Sequence, residues 1–191
     1  MTKKVPLLIV SILLLLVSIG GIIYFMVSAG NSIPRNTTVI TSEVVEAYCD
    51  SEIKQSLSMP FIILFAASIM SLSTVAKMER YGDNFNKIMI MELVIVVIIG
   101  VFFLYTPVKK IMDIKNNDPR IETVQLTDKY TRRRRRSTNY YATFSNGATD
   151  RITSREYDAY QYGQEFYVIM CGDTCIDTFD TITYSVAEGL A

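Results

Sequence analysis

The chain has 191 residues, half of them hydrophobic, with 19 basic and 19 acidic side chains that cancel to a formal net charge of zero, and no histidine. Without histidine the usual acid/base near neutral pH is missing. No serine nucleophile elbow, phosphate-cradling glycine loop or metalloprotease helix appears either, so an enzyme is not expected.

The apolar residues fall into three blocks, and the first runs from Val5 to Gly30 without a charge. At about 1.5 Å per helical residue it exceeds the roughly 30 Å hydrocarbon layer, which predicts a crossing near residues 5–29. Lys3 and Lys4 before it and "SAG" at its end give it the outline of a secretory signal. Its apolar core is much longer than the roughly 7 to 15 residues of such a signal, so an uncleaved anchor is expected. Gly20 and Gly21 would permit a close helix approach.

The segment from Asn31 to Ser58 is too long for a minimal turn between crossings. Val44, Val45, Tyr48, Ile53 and Leu57 recur near the spacing of an amphipathic helix, with Thr41 or Ser42 as its cap. Such a helix lies on the membrane surface or against the C-terminal region, or is a partly helical connector.

A second crossing is expected at 59–76, where Ser68, Ser71, Ser73 and Thr74 can return hydrogen bonds to their own helix or a neighbour. The alternative for this shorter block is a buried or interfacial helix. The third crossing lies at 88–106, with Pro107, Lys109 and Lys110 as its exit. Glu92 sits inside that apolar run, where a carboxylate requires protonation, water or a partner. It marks an ion path or assembly contact, or else it reaches the headgroups beside Lys87. Residues 1–110 thus read as the transmembrane region.

Beyond Lys110 the pattern changes to short alternating runs. "IETVQLTDKY" and "TNYYATFS" alternate, and the latter meets "ATDRITS" across Asn146-Gly147, a strong hairpin signal. "REYDAY" reads as one helical turn, "EFYVIM" as an apolar strand and "CIDTFDTITYSV" as a final strand. Residues 111–191 therefore predict a small all-β, barrel-like domain of about five strands, with a basic strand or loop at 129–136.

The run "NYYATFSNGATDRITSREYDAYQYGQEFYVIMCG" resembles bacterial membrane-associated domains of unknown function in the DUF3592 and DUF2500 group. The matching positions are Tyr140, Tyr141, Phe144, Gly147, Ile152, Glu156, Tyr157, Gly163, Phe166, Val168 and Gly172. The resemblance runs from Asn139 to Gly172, 34 of the 191 residues. It implies a small β domain tethered by transmembrane helices and supplies no catalytic residues.

Cys171 and Cys175 bracket "CGDTC", a spacing suited to a small disulfide loop across a turn in an oxidising compartment, with two thiols in a reducing one as the alternative. Cys49 is left over in either account and reads as a hydrophobe on a helix face. Two thiolates without histidine make a poor metal site. Asp173, Asp177 and Asp180 do not reproduce a calcium-loop spacing, so no metal or cofactor is expected.

The net charge of zero hides a segregation. Val108 to Arg136 carries ten basic and four acidic residues, whereas Ser137 to Ala191 carries two basic and eight acidic ones. Arg132, Arg133, Arg134, Arg135 and Arg136 are the candidates for interaction or headgroup contact, facing phosphates or acidic partners such as Asp173, Asp177 and Asp180 of the same domain or a neighbouring copy. Nucleic acid is not expected, because no recognition module accompanies the charge.

Basic residues near the span ends divide equally between the two sides, five against five, which leaves orientation open. The short basic tail and the acidic first loop (Glu43, Glu46, Asp50, Glu52) favour an inside N-terminus. Three spans then place the C-terminal domain on the exoplasmic side of the cell membrane. The expected function is a noncatalytic assembly, accessory or regulatory protein that contacts membrane lipids and uses its β domain to bind a membrane protein partner or another copy. The alternative is an oligomeric transport or channel component built on spans two and three.

Overall fold

The computed structural model describes residues 4–34, 37–135 and 137–189 and divides into two compact units. One gathers Met1–Asn31 with Ile53–Ile111; the other gathers Ser32–Glu52 with Met112–Ala191.

The first unit is helical. Its elements come from α1 (Lys4–Ser32), α2 (Ser42–Ala76), the short α3 (Met78–Tyr81), a 3-10 turn (Gly82–Asn84) and α4 (Phe85–Asn116). α1, α2 and α4 are long and apolar enough, by length and composition, to cross a membrane. Two of them outrun the expected limits. The segment read as a separate connector helix and the second block form one continuous helix through Pro60, and α4 continues through Pro107 to Asn116. A proline removes one backbone donor and crowds the preceding turn. In apolar surroundings, leaving the helix would strand several more polar groups, so the helix persists.

Hydroxyls in this unit are satisfied at short range. Ser18 donates to the Leu15 carbonyl (2.7 Å), Ser58 to that of Gln55 (2.6 Å) and Ser68 to that of Leu64 (2.7 Å). Between helices, the Ser11 and Ser71 hydroxyls meet at 2.8 Å. Of the two glycines in the first span, Gly21 makes the close approach: a Cβ there would overlap the Phe61 ring, whereas Gly20 faces open space.

The second unit is built on β1 (Val39–Ile40), β2 (Pro119–Arg134), β3 (Ser137–Phe144), β4 (Thr149–Ile152), α5 (Ser154–Ala159), β5 (Glu165–Cys171), β6 (Thr174–Asp180) and β7 (Ser185–Val186). Five strands make an antiparallel sheet in the order β4-β3-β2-β5-β6, while β1 pairs in parallel with β7. The 16-residue β2 serves both halves of the sheet, pairing with β5 from Pro119 to Gln125 and with β3 from Leu126 onward. A register shift between Leu126 and Asp128 sits at the change of partner, and such an irregularity bends a strand and tightens its twist. The sheet curls into a half-barrel whose two edge strands are linked by Thr178 Oγ1 donating to Asp150 Oδ2 at 2.8 Å.

Alternation assigns the inner face. Val124, Leu126, Ala142, Phe144, Ala148, Ile152, Phe166, Val168 and Met170 form the core, with Tyr140, Tyr157, Tyr160 and Cys175 packed against it. The β3–β4 turn spans residues 145–147, with Gly147 N–H donating to the Phe144 carbonyl at 2.9 Å and Gly147 at φ +83°. It is therefore a three-residue loop closed by a glycine in the left-handed region, one residue longer than the tightest hairpin turn. Thr153 and Glu156 cap α5 reciprocally as a capping box.

The opposite face of β5 and β6 is buried too: Ile169 and Cys171 are fully covered and Phe179 nearly so. The first turns of α2 supply that cover. Thr41 caps the helix, its Oγ1 accepting from Val44 N–H and its carbonyl from Val45 N–H. Val44, Val45 and Cys49 are buried, and the Tyr48 ring meets Phe179 edge-on at 5.2 Å. Of the placements open to this helix from the sequence, packing against the β domain is the one observed, and it enlarges that domain beyond residues 111–191.

Candidate interaction surface

The arginine run lies at the free end of the β2–β3 hairpin. Cross-strand register pairs Tyr130 with Tyr141, Arg132 with Asn139, Arg133 with Thr138 and Arg134 with Ser137. On one face, the Tyr130 and Tyr141 rings stack with centroids 5.1 Å apart and planes 13° from parallel. The Arg132 guanidinium lies 6.0 Å over the Tyr141 ring, at the outer limit of a cation–π contact. Arg151 on β4 stands opposite Tyr141, and its Nη2 donates to Asn139 Oδ1 at 3.0 Å. This face therefore carries a tyrosine pair bordered by two guanidinium groups.

Arg132, Arg133 and Arg135 are exposed; Arg135 occupies the turn. Arg136 and the Arg134 side chain lie outside the described residues. Alternation sends Arg133 to the face opposite Arg132. Because the hairpin projects past the core, neither arginine has to enter an apolar interior.

Lys129, included in the basic stretch read from the sequence, does a different job. Its Nζ donates to the carbonyls of Tyr157 (2.6 Å) and Tyr160 (2.7 Å) and lies 4.9 Å over the Tyr157 ring. A cation on the last carbonyls of a helix satisfies orphan acceptors and complements the helix dipole, so this lysine closes α5. The candidate surface therefore begins at Arg132.

Acidic groups gather elsewhere in the unit. Asp177 and Asp180 accept from nearby backbone: Asp177 Oδ1 from Thr178 N–H (2.8 Å), and Asp180 Oδ1 from Ile182 N–H (3.1 Å) and Thr183 N–H (2.7 Å). Burial pushes the Asp177 carboxyl up to about 7, outweighing the Thr178 hydrogen bond, and the charges of Asp150, Glu52 and Glu156 raise it further. Glu122 shifts the opposite way. Asn146 donates to it at 2.6 Å and Arg120 pairs with it at 2.6 Å, holding its carboxyl below the ordinary range. Among the described residues, no group of three or more Cys, Asp or Glu side chains is placed to hold a metal.

The cysteines are arranged differently from the loop closure expected at "CGDTC". Strand register puts Cys171 opposite Thr174 and Met170 opposite Cys175, so the two sulfurs take opposite faces of the β5–β6 hairpin. Cys175 packs against the inner core, while Cys171 turns outward to Cys49, with the sulfurs 3.6 Å apart. The contact with Cys49 holds the Cys171 thiol below its ordinary range, with Arg120 acting in the same sense and burial acting against both.

Within the helical unit, Glu92 Oε1 accepts a hydrogen bond from Thr74 Oγ1, which joins α2 to α4. The carboxylate thus has a partner on a neighbouring helix. Near the start of α2, Thr38, Val44, Tyr48, Phe179 and Tyr184 line part of a cleft of about 390 Å³.

No protein-family model, curated protein or solved structure matches the chain.

Proposed function

We propose that the chain is a noncatalytic, membrane-anchored accessory or regulatory protein whose β domain binds the acidic surface of a protein partner through the β2–β3 hairpin. The observation that carries this reading is the exposed Arg132, Arg133 and Arg135 on a hairpin end that projects beyond the half-barrel core. Guanidinium groups bind carboxylates in a planar, bidentate manner, and the Tyr130–Tyr141 stack beside Arg132 stiffens the platform that presents them. Three apolar helices hold the domain at the cell membrane, with the N-terminus inside and the β domain exoplasmic. The β domain is placed in the DUF3592 and DUF2500 group as part of the same proposal.

The alternative, an oligomeric transport component, drew on Glu92. Its bond to Thr74 favours a helix-packing role instead. Side chains that hydrogen-bond across helices hold a bundle together without requiring a conduction path.

Crosslinking in native membranes, comparing the native chain with Arg132→Glu/Arg133→Glu/Arg135→Glu, tests the proposal. The native chain is expected to give a discrete crosslinked protein species that the charge-reversed chain loses at equal abundance. The same species in both chains would refute a role for the hairpin. A crosslink lost only on depleting anionic lipid would reassign the surface to headgroups.

A further inference from the structure

We infer that Cys49 and Cys171 form a disulfide that fastens the start of α2 to β5. The two residues are 122 positions apart in sequence, yet their sulfurs lie 3.6 Å from each other inside one compact unit. Cys171 is fully buried and Cys49 is 8% exposed. A disulfide requires the sulfurs to close by about 1.5 Å to the S–S bond length near 2.05 Å. Both residues sit on regular elements whose packing is already in place: Tyr48 lies against Phe179 one position before Cys49, and Ile169 is buried two positions before Cys171. Their burial also limits the competing partners. Cys175 is the third cysteine, and the β5–β6 register turns it to the other side of the sheet.

The inference rests on the exoplasmic placement of the β domain, because the bond needs a disulfide donor. That donor is an external disulfide, carried by an oxidised thiol–disulfide oxidoreductase or by an oxidised low-molecular-weight thiol. One cysteine, as its thiolate, attacks a sulfur of the donor and forms a mixed disulfide, releasing the donor's other sulfur as a thiolate. The second cysteine then attacks the protein sulfur of that mixed bond and expels the remaining donor sulfur. The protein loses two protons and two electrons, and the donor disulfide becomes two thiols. Since both sulfurs are covered in the folded unit, the exchange belongs to folding, before α2 closes over β5.

The experiment uses the full chain taken from its membranes, with thiol–disulfide exchange quenched by acid at harvest, denatured and then mass-tagged with a maleimide. The native chain is expected to take one tag without reductant and three after reduction. Cys175→Ser, which leaves the pair intact, should take none before reduction and two after. Cys49→Ser should take two tags without reductant. Three tags on the unreduced native chain would overturn the inference, as would protection that survives Cys49→Ser, which would put the bond between Cys171 and Cys175. A native chain that migrates as a dimer until reduced would overturn it too.

Asp173 is exposed in the β5–β6 turn, so Asp173→Cys in a chain lacking the three native cysteines reports the domain's side to an impermeant maleimide in intact cells. Labelling there together with three tags on the native chain refutes the disulfide alone. No labelling together with three tags refutes both the disulfide and the placement.

Discussion

Replacing Asp177 with asparagine is expected to stabilise the β unit at neutral pH and to remove a pH dependence that the native chain carries. Burial, reinforced by Asp150, Glu52 and Glu156, raises this carboxyl from 3.8 to about 7. In the unfolded chain it ionises near 3.8, so between the two values the folded state holds a proton that the unfolded state has lost. Stability therefore falls as pH rises through that window and levels off above about 7. Three pKa units correspond to at most about 4 kcal/mol. Asp177 keeps some contact with water and its carboxylate keeps the Thr178 N–H, so a gain of about 1–2 kcal/mol for the amide is the better figure. For a domain of this size that is a rise of several degrees in Tm. The chain has no tryptophan, so thermal unfolding of the purified full-length protein is followed by tyrosine near-ultraviolet circular dichroism. The native midpoint should drop between about pH 5 and pH 8, and Asp177→Asn should narrow that drop from the alkaline side. Glu122 is common to both chains, so its opposite shift cancels in the comparison. An unchanged midpoint at pH 8, or an equal pH dependence in both chains, would refute the reasoning.

Lys129→Met removes two charge-assisted hydrogen bonds to the Tyr157 and Tyr160 carbonyls while keeping much of the apolar stem. A loss of about 2 kcal/mol is expected after allowing for partial exposure, with hydrogen exchange accelerated in α5 and unchanged at the Tyr130–Tyr141 pairing; uniform acceleration would contradict the capping role. For Glu92, glutamine keeps an oxygen for the Thr74 hydroxyl and should be nearly neutral. Leucine should lose about 0.6–1.7 kcal/mol of helix association, measured by unfolding in bilayers, and equal behaviour of the two variants would remove Thr74 as the reason for the carboxylate.

Much of the β domain was legible because its signals are local. Alternation in "IETVQLTDKY" and "TNYYATFS" reports the pleat directly, and Asn-Gly reports a turn that needs a positive φ. β2 and β3 contain those runs, and Gly147 takes that conformation. The three apolar helices were legible for a related reason, since continuous apolarity needs no knowledge of neighbours. Their ends were not. Pro60 and Pro107 are breakers in water, where a freed carbonyl finds a solvent donor; in long apolar helices the backbone keeps its own bonds on both sides of the proline. The candidate arginine surface was half legible. The charge run is plain in the sequence, but Lys129 belongs to the fold because α5 returns its carbonyls to β2, a long-range contact with no local trace.

Which cysteines meet was not legible in the sequence, for a reason that strand geometry makes specific. Proximity in sequence favours Cys171 with Cys175, but a hairpin that turns at Gly172-Asp173 puts side chains at Met170 and Cys175 on one face and those at Cys171 and Thr174 on the other. Gly172 at φ +58° fixes that turn; a Cβ there would stand 2.8 Å from the Asn117 amide nitrogen. The sequence did carry a clue. "EFYVIMC" is apolar almost throughout rather than alternating, which marks a strand buried on both faces. One face goes to the half-barrel core, so the other requires a second cover. The amphipathic segment around Val44, Val45, Tyr48 and Cys49 offers apolar positions in number and spacing to provide it. Once that helix is assigned to β5 and β6, Cys49 stops being the odd cysteine. It becomes the sulfur that faces Cys171.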